Sequence, residues 1–296
     1  MRIRQRRRPR SHRRFGRSTA RGGLGLAASL LLTSATATMT RPAAADPARP
    51  AASPPPPEAP AELSVVRRGA PLPLDATGWS DVPRHALTPA QDGLDAGQAL
   101  REPGSFQMAL AEGALWLRVD FDDSDVSAIA EADGENLYDT GDVAEWFIGL
   151  APEPDGQGGL LPRRYLELHL APNGTRSAYV IDRPMQVRPL ATIPFRGEVR
   201  IDGRLDDATE RDTGWSAVME LPLSELAELL PGFDAERPRA TPLRVLVARY
   251  NYSRFLPYRA DGTAGAELSM WPTQPRVAFH LRPHHAAVRF AEPDDD

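Results

Sequence analysis

From Leu63 onward, apolar and polar positions alternate in short runs separated by turn residues. The alternation predicts strands over 106–110, 114–121, 143–150, 164–171, 175–181, 197–201, 215–221, 243–252 and 277–281. Many short strands with tight connections argue for an all-β fold, an antiparallel, jelly-roll-like β-sandwich. Ala111-Glu112-Gly113 and Asn173-Gly174 read as hairpin connections, the second with the residues a type I′ turn requires. One short helix is expected after Pro222, with Ser224 capping the run Glu225 to Leu230 before Pro231-Gly232 ends it. There is no internal repeat.

Period-two alternation sorts side chains by face. Leu166, Leu168 and Leu170 share one face of their strand, and Tyr165, Glu167 and His169 the other. On the strand before it, Glu145, Phe147 and Gly149 oppose Trp146, Ile148 and Leu150. Sequential strands usually lie side by side, so Glu145 and Glu167 are expected to converge on one concave surface.

Composition adds an address. Residues 1–21 are arginine-rich, 22–39 form a small-residue apolar run, and Ala43-Ala44-Ala45 offers a cleavage site, which is the order of an export signal. The run is too broken and short for a spanning helix, so the mature protein is expected to be periplasmic or extracellular, with no membrane anchor after cleavage. Arg13-Arg14 before Phe15 is close to a twin-arginine signal but lacks its spacer residue, leaving the export route open. Residues 1–45 carry eleven arginines and no Asp or Glu, so their removal takes the formal net charge from -5 to -16. An acidic protein of this kind is a poor partner for nucleic acid or anionic lipid. Residues 46–62 read as a Pro/Ala-rich tether, 63–291 as one β domain and 292–296 as an acidic tail. With no cysteine, disulfides, thiolate nucleophiles and cysteine-ligated metals are excluded.

A sugar presents apolar ring faces and a rim of hydroxyls, so a site for one combines aromatic plates with carboxylate, amide or guanidinium groups. Tyr138 precedes the turn Asp139 to Asp142, and Trp271 sits in a Ser-x-Trp-Pro turn. Arg249 and Asn251 share one side of a strand end. Taken alone, a Trp beside Pro is more often a loop packed on the core. The order and spacing of Leu137 to Ile148, Tyr165 to Thr175 and Glu267 to Pro272 resemble the family 9 carbohydrate-binding modules and related bacterial proteins. Trp79, Leu115 to Val119, Asp212 to Pro222, Arg249 to Tyr252 and Phe279-His280 extend the resemblance across most of residues 74–290.

The resemblance implies non-catalytic binding of a saccharide chain end between two aromatic plates. Tyr138 and Trp271 would be the plates, Glu145 the carboxylate after the turn, and Arg249 and Asn251 further hydrogen-bonding groups. Where the family places a sugar-gripping Arg and Asn, this chain has Glu167 and His169, leaving the preferred sugar open. The family also implies structural calcium, for which Asp122, Asp123 and Asp125 are candidates, although a solvated acidic turn explains them too. Other cofactors are not expected, and the protein is expected to be a monomer.

Two other classes fit some of the same residues. Glu145 and Glu167 are the pair a glycoside hydrolase would use. His169 with Met185 or Met270 would suit an electron-transfer haem sandwich. The sequons at Asn173 and Asn251 are read as a turn and a strand residue rather than glycosylation sites.

Overall fold

Alternation becomes structure where one face of each run finds a partner layer to bury against. The computed structural model describes residues 61–92, 96–154, 160–161, 163–182, 186–207, 209–256 and 266–291. The expected leader, the tether up to residue 60 and the tail at 292–296 lie outside the described residues. Among those described, the strands are β1 (Glu62–Arg68), β2 (Arg84–Ala86), β3 (Gly104–Ala111), β4 (Ala114–Asp122) and β5 (Val143–Leu150). There follow β6 (Glu153–Pro154), β7 (Leu160–Leu161), β8 (Tyr165–Leu170), β9 (Arg176–Ile181), β10 (Val187–Pro189), β11 (Arg196–Asp202) and β12 (Gly214–Pro222). Helix α1 (Leu223–Leu229) precedes β13 (Leu243–Asn251), β14 (Glu267–Trp271) and β15 (Ala286–Phe290).

These make a β-sandwich. One layer runs β10-β9-β8-β5-β13-β15-β1, and the other runs β1-β3-β4-β12-β11. Every pairing is antiparallel except those of β1, which belongs to both layers. Its first half, Glu62 to Val65, lies parallel to β15, and its second half, Val66 to Arg68, lies parallel to β3. β14 shares one edge of β13 with β15.

The core lies between the layers. Trp146, Ile148, Leu166, Leu168, Val245 and Val247 from one meet Phe106, Met108, Leu117, Val119, Trp215 and Met219 from the other. Each such side chain contributes about 1.5–3 kcal/mol by burial. Helix α1 closes one end, with Leu223 and Leu226 in this core. A second apolar cluster lies outside the β3-β4-β12 layer, where Leu72, Leu74, Trp79 and Val82 cover Ala109, Trp116 and Val218.

Several local expectations are corrected. Ser224 does not cap α1: it stands inside the helix, Pro222 is the capping position, and the Leu223 N–H donates to Gly113 O at 2.8 Å. The Asn173-Gly174 connection is not type I′, because only Gly174 has positive φ (85°), and Gly174 N–H donates to Ala171 O. A type I turn closed by a left-handed glycine is formed instead. The type I′ geometry occurs at Glu112-Gly113, with φ of 44° and 75°. Residues 277–281 form turns rather than a strand, while β14 and β15, unexpected as strands, complete the layer.

Candidate functional site

The outer face of the β9-β8-β5-β13 layer is where the alternation places a second set of side chains. Register sets Glu145 on β5 opposite His169 on β8, and Phe147 opposite Glu167, which in turn pairs with Tyr179 on β9. Tyr250 stands on the same face at the end of β13, next to Val143. The loop leading into β5 brings Tyr138 over this face. Its turn is fixed by Gly141 (φ 141°), where a Cβ would come within 2.5 Å of Ser127 O. It is fixed again by buried Asp142, whose carboxylate accepts Ser127 N–H at 2.7 Å and Tyr252 N–H at 2.6 Å.

Together these residues line a cavity of about 370 Å³, whose lining includes Tyr138, Glu145, Glu167, Tyr179, Tyr250 and Phe279. That volume is at the lower end of the roughly 300–1,000 Å³ typical of small-molecule pockets. Tyr138 is 38% exposed at the rim, 6.0 Å from the Tyr250 ring, and the Tyr252 hydroxyl donates to Tyr138 O at 2.6 Å. His280 joins the wall through its Nδ1, 2.8 Å from the Tyr165 hydroxyl.

The floor is ionisable and nearly dry. Glu145 is 2% exposed, His169 0% and Glu167 7%. His169 Nε2 lies 2.8 Å from Glu167 Oε1 and 3.2 Å from Glu145 Oε1. Burial pushes the Glu145 carboxyl up to about 8, with His169 opposing the shift and Glu167 adding to it. Burial disfavours charge on His169 too, but the two carboxylates outweigh it and raise its pKa. Glu145 Oε2 and His169 Nδ1 are buried without a hydrogen-bond partner. Desolvated groups of this kind cost stability unless something fills the gap. Chemically, the floor can accept hydroxyl donors from a bound molecule.

Of the residues anticipated from sequence, Tyr138, Glu145, Glu167 and His169 come together here. Trp271, Arg249 and Asn251 do not, and the expected pair of plates facing each other is corrected. Trp271 pairs with Val247 on β13, placing its indole toward the core side, where it packs 5.0 Å from His85 and 5.3 Å from Phe106. Arg249 and Asn251 share that inner side. Arg249 is fully buried, donating to Glu102 O, Asp122 O and Asp123 Oδ2 at 2.8–2.9 Å, and Asn251 donates to Glu102 Oε2 at 2.7 Å. Alternation explains the miss: Arg249 and Asn251 flank Tyr250, so a pocket containing Tyr250 excludes both. Tyr179 was missed entirely, although the Asn173-Gly174 hairpin places it beside Glu167.

The calcium candidates do not gather. Asp123 pairs with Arg249, Asp125 with Arg254 at 2.8 Å, and Asp122 is exposed. Among the described residues, the one group of three or more His, Asp or Glu ligand atoms within 4.8 Å of one another is Glu145, Glu167 and His169. Met270 is buried on the pocket-side face of β14, whereas Met185 lies outside the described residues. A larger cavity of about 710 Å³, lined by Arg67, Arg68, Arg237 and Phe290 near the Glu112-Gly113 hairpin, lacks such a gathering.

No protein-family model matches the sequence, and no curated protein does. Among solved structures, the fold is similar to that of a proposed carbohydrate-binding protein from Bacteroides uniformis ATCC 8492. The TM-score is 0.57 at 14% identity, covering 78% of this chain and 99% of that one. A family 9 carbohydrate-binding module from Caldicellulosiruptor kristjanssonii, solved with cellotriose and with glucose, aligns at TM-scores of 0.48 and 0.47 with 11% identity. Both alignments cover 79% of this chain, and 96% and 98% of the module. The all-β sandwich expected from the sequence is the fold observed, and the likeness to the Bacteroides uniformis protein is one of fold.

Proposed function

We propose that this protein binds a saccharide end in the Tyr138–Tyr179–Tyr250 pocket and does not cleave it. The observation that supports this most is the combination of aromatic walls with a buried acceptor floor that still holds an unpartnered carboxylate oxygen, Glu145 Oε2. Sugar C–H faces suit the tyrosine rings, and sugar hydroxyls donate to the carboxylates. The solved relative described as carbohydrate-binding agrees with this reading at the level of fold. Hydrolysis is disfavoured because Glu145 and Glu167 both lean on one imidazole nitrogen rather than flanking a space wide enough for a glycosidic bond.

Binding of this kind is modest. Each ring contributes about 1 kcal/mol beyond its area, against the cost of immobilising the ligand. The leader reading adds export to the periplasm or beyond, where a monomer would meet its glycan; among the described residues no helix is long and apolar enough to cross a membrane. A glycan array with the mature chain tests the proposal. Retention without release of reducing sugar is expected, weakened in Glu167→Gln. Retention unchanged in both Glu167→Gln and Tyr250→Ala would remove this pocket from the function.

A further inference from the structure

We propose that Glu145, Glu167 and His169 form a binding site for one divalent transition-metal ion of the zinc type at the floor of the pocket. Three independent observations converge on it. First, the geometry is close to what such an ion needs. With metal–ligand distances of about 2.0–2.2 Å and tetrahedral angles, donor atoms stand roughly 3.3–3.6 Å apart. His169 Nε2 is 2.8 and 3.2 Å from the two carboxylate oxygens, and the three residues offer ligand atoms all within 4.8 Å of one another, so a small rearrangement of the side chains admits the ion.

Second, the two acids have no guanidinium of their own. The other buried acids among the described residues have fixed partners: Asp123 has Arg249, Asp125 has Arg254, and Asp142 and Glu267 each accept two backbone N–H groups. Among the described residues, the one cation within ion-pair distance of Glu145 and Glu167 is the His169 imidazole, and no arginine is among the described residues lining the cavity. A divalent ion would supply the positive charge that lets both acids ionise together in this desolvated site. Third, Glu145 Oε2 is unpartnered although the side chain is almost wholly buried, so the carboxylate has a free coordinating oxygen on the floor.

Donor type decides which ion. Calcium takes six to eight oxygen ligands and has no preference for imidazole. One imidazole nitrogen with two carboxylate oxygens suits zinc and its neighbours, with the remaining position open to a water or a ligand from the pocket. The side chains come from two adjacent strands with the register Glu145 opposite His169, so the site is held by the sheet rather than by a loop.

Metal uptake does not depend on saccharide binding, and the experiment keeps the two apart. The chelator-stripped, full mature chain is titrated with zinc chloride, and bound metal is measured after dialysis; cobalt chloride in parallel reports coordination through its visible absorption. One ion per folded chain is expected, with affinity lowered on the order of a hundredfold in His169→Ala and in Glu167→Gln. His284→Ala, which changes an exposed histidine, should leave the stoichiometry at one. Zinc should also raise the melting temperature of the wild type and not that of Glu167→Gln, which retains the pocket's shape. A folded wild-type chain that retains less than a tenth of an equivalent overturns the proposal, as does an undiminished equivalent in His169→Ala. Glycan retention that survives chelation, alongside no metal uptake, would refute the metal site and leave the saccharide reading standing. One equivalent of metal with no glycan retained would do the reverse.

Discussion

Two polar clusters lie on opposite faces of the β8-β5-β13 layer, and they are built to different ends. On the inner face, Arg249 meets Asp123 at 2.9 Å, two backbone carbonyls and the Phe121 ring at 4.6 Å, all inside the sandwich. On the outer face, Glu145 and Glu167 share one histidine, and each cluster keeps unpartnered buried atoms, Arg249 Nε and Asn251 Oδ1 inside, Glu145 Oε2 and His169 Nδ1 outside. Both are buried; only the outer one opens to a cavity. A polar cluster enclosed between the layers braces them, whereas one at the base of a pocket is positioned to receive something.

Substitutions should separate the two faces, and the largest effect belongs to the inner cluster. Arg249→Met strands the Asp123 carboxylate in the core and should cost about 3–5 kcal/mol, read as a melting temperature lower by roughly 10 °C. An unchanged melting curve would deny the cluster its structural role. Trp271→Ala comes next. Its half-buried indole packs on Phe106 and His85, so about 2–3 kcal/mol of stability should go, below the range for a fully buried Trp, while glycan retention stays as it was. Lost retention with normal melting would return Trp271 to the site.

Tyr138→Ala reverses that pattern. The ring is exposed enough that stability should move by less than about 0.5 kcal/mol. Saccharide affinity should fall roughly fivefold, equivalent to about 1 kcal/mol of stacking; equal affinity by titration calorimetry would exclude it as a plate.

The smallest effect concerns a second buried histidine. His285 accepts a hydrogen bond from Arg282 at 2.7 Å and donates from Nε2 to Phe279 O at 2.7 Å, bracing the turn that supplies the pocket's Phe279 and His280. Burial first, then the Arg282 charge, hold its pKa well below the usual value. The unfolded chain therefore takes up this proton near pH 6.5 and the native protein does not. Its contribution to stability is complete above about 6.5 and declines as pH falls from there toward the folded value. His285→Gln, which can keep both hydrogen bonds, should flatten that part of the melting-temperature profile between pH 7 and 5. An equally steep profile would show that other groups carry the acid sensitivity.

How much was legible in advance follows from the same face-sorting. Val143 to Leu150 was read with its bounds intact, and Glu145, Glu167 and His169 fell together because neighbouring strands with strict alternation leave little freedom. Trp271 misled because a Trp-Pro pair resembles an exposed turn, and only its pairing with Val247 shows which side the indole takes. Arg249 and Asn251 were attractive as sugar ligands by residue type, yet their partners Glu102, Asp122 and Asp123 are remote in sequence, at separations of 126 to 149 residues. No local pattern announces such partners. β15 was missed for a related reason: Ala-Ala-Val-Arg-Phe is too short and plain to stand out, and its partners lie at residues 62–65 and 244–245.

The dual membership of β1 has a kinetic consequence. Residues 62–65 add to β15, whose own first residues close on β13, so the hydrogen-bonded continuity of the two layers through β1 forms only after β15 has emerged from synthesis. Contacts spanning more than 220 positions are slow to find, because chain entropy is lost before they form. Hairpins such as β3-β4 and β8-β9 can close early, but the seam at β1 should be among the last to form, with β15 as its latch.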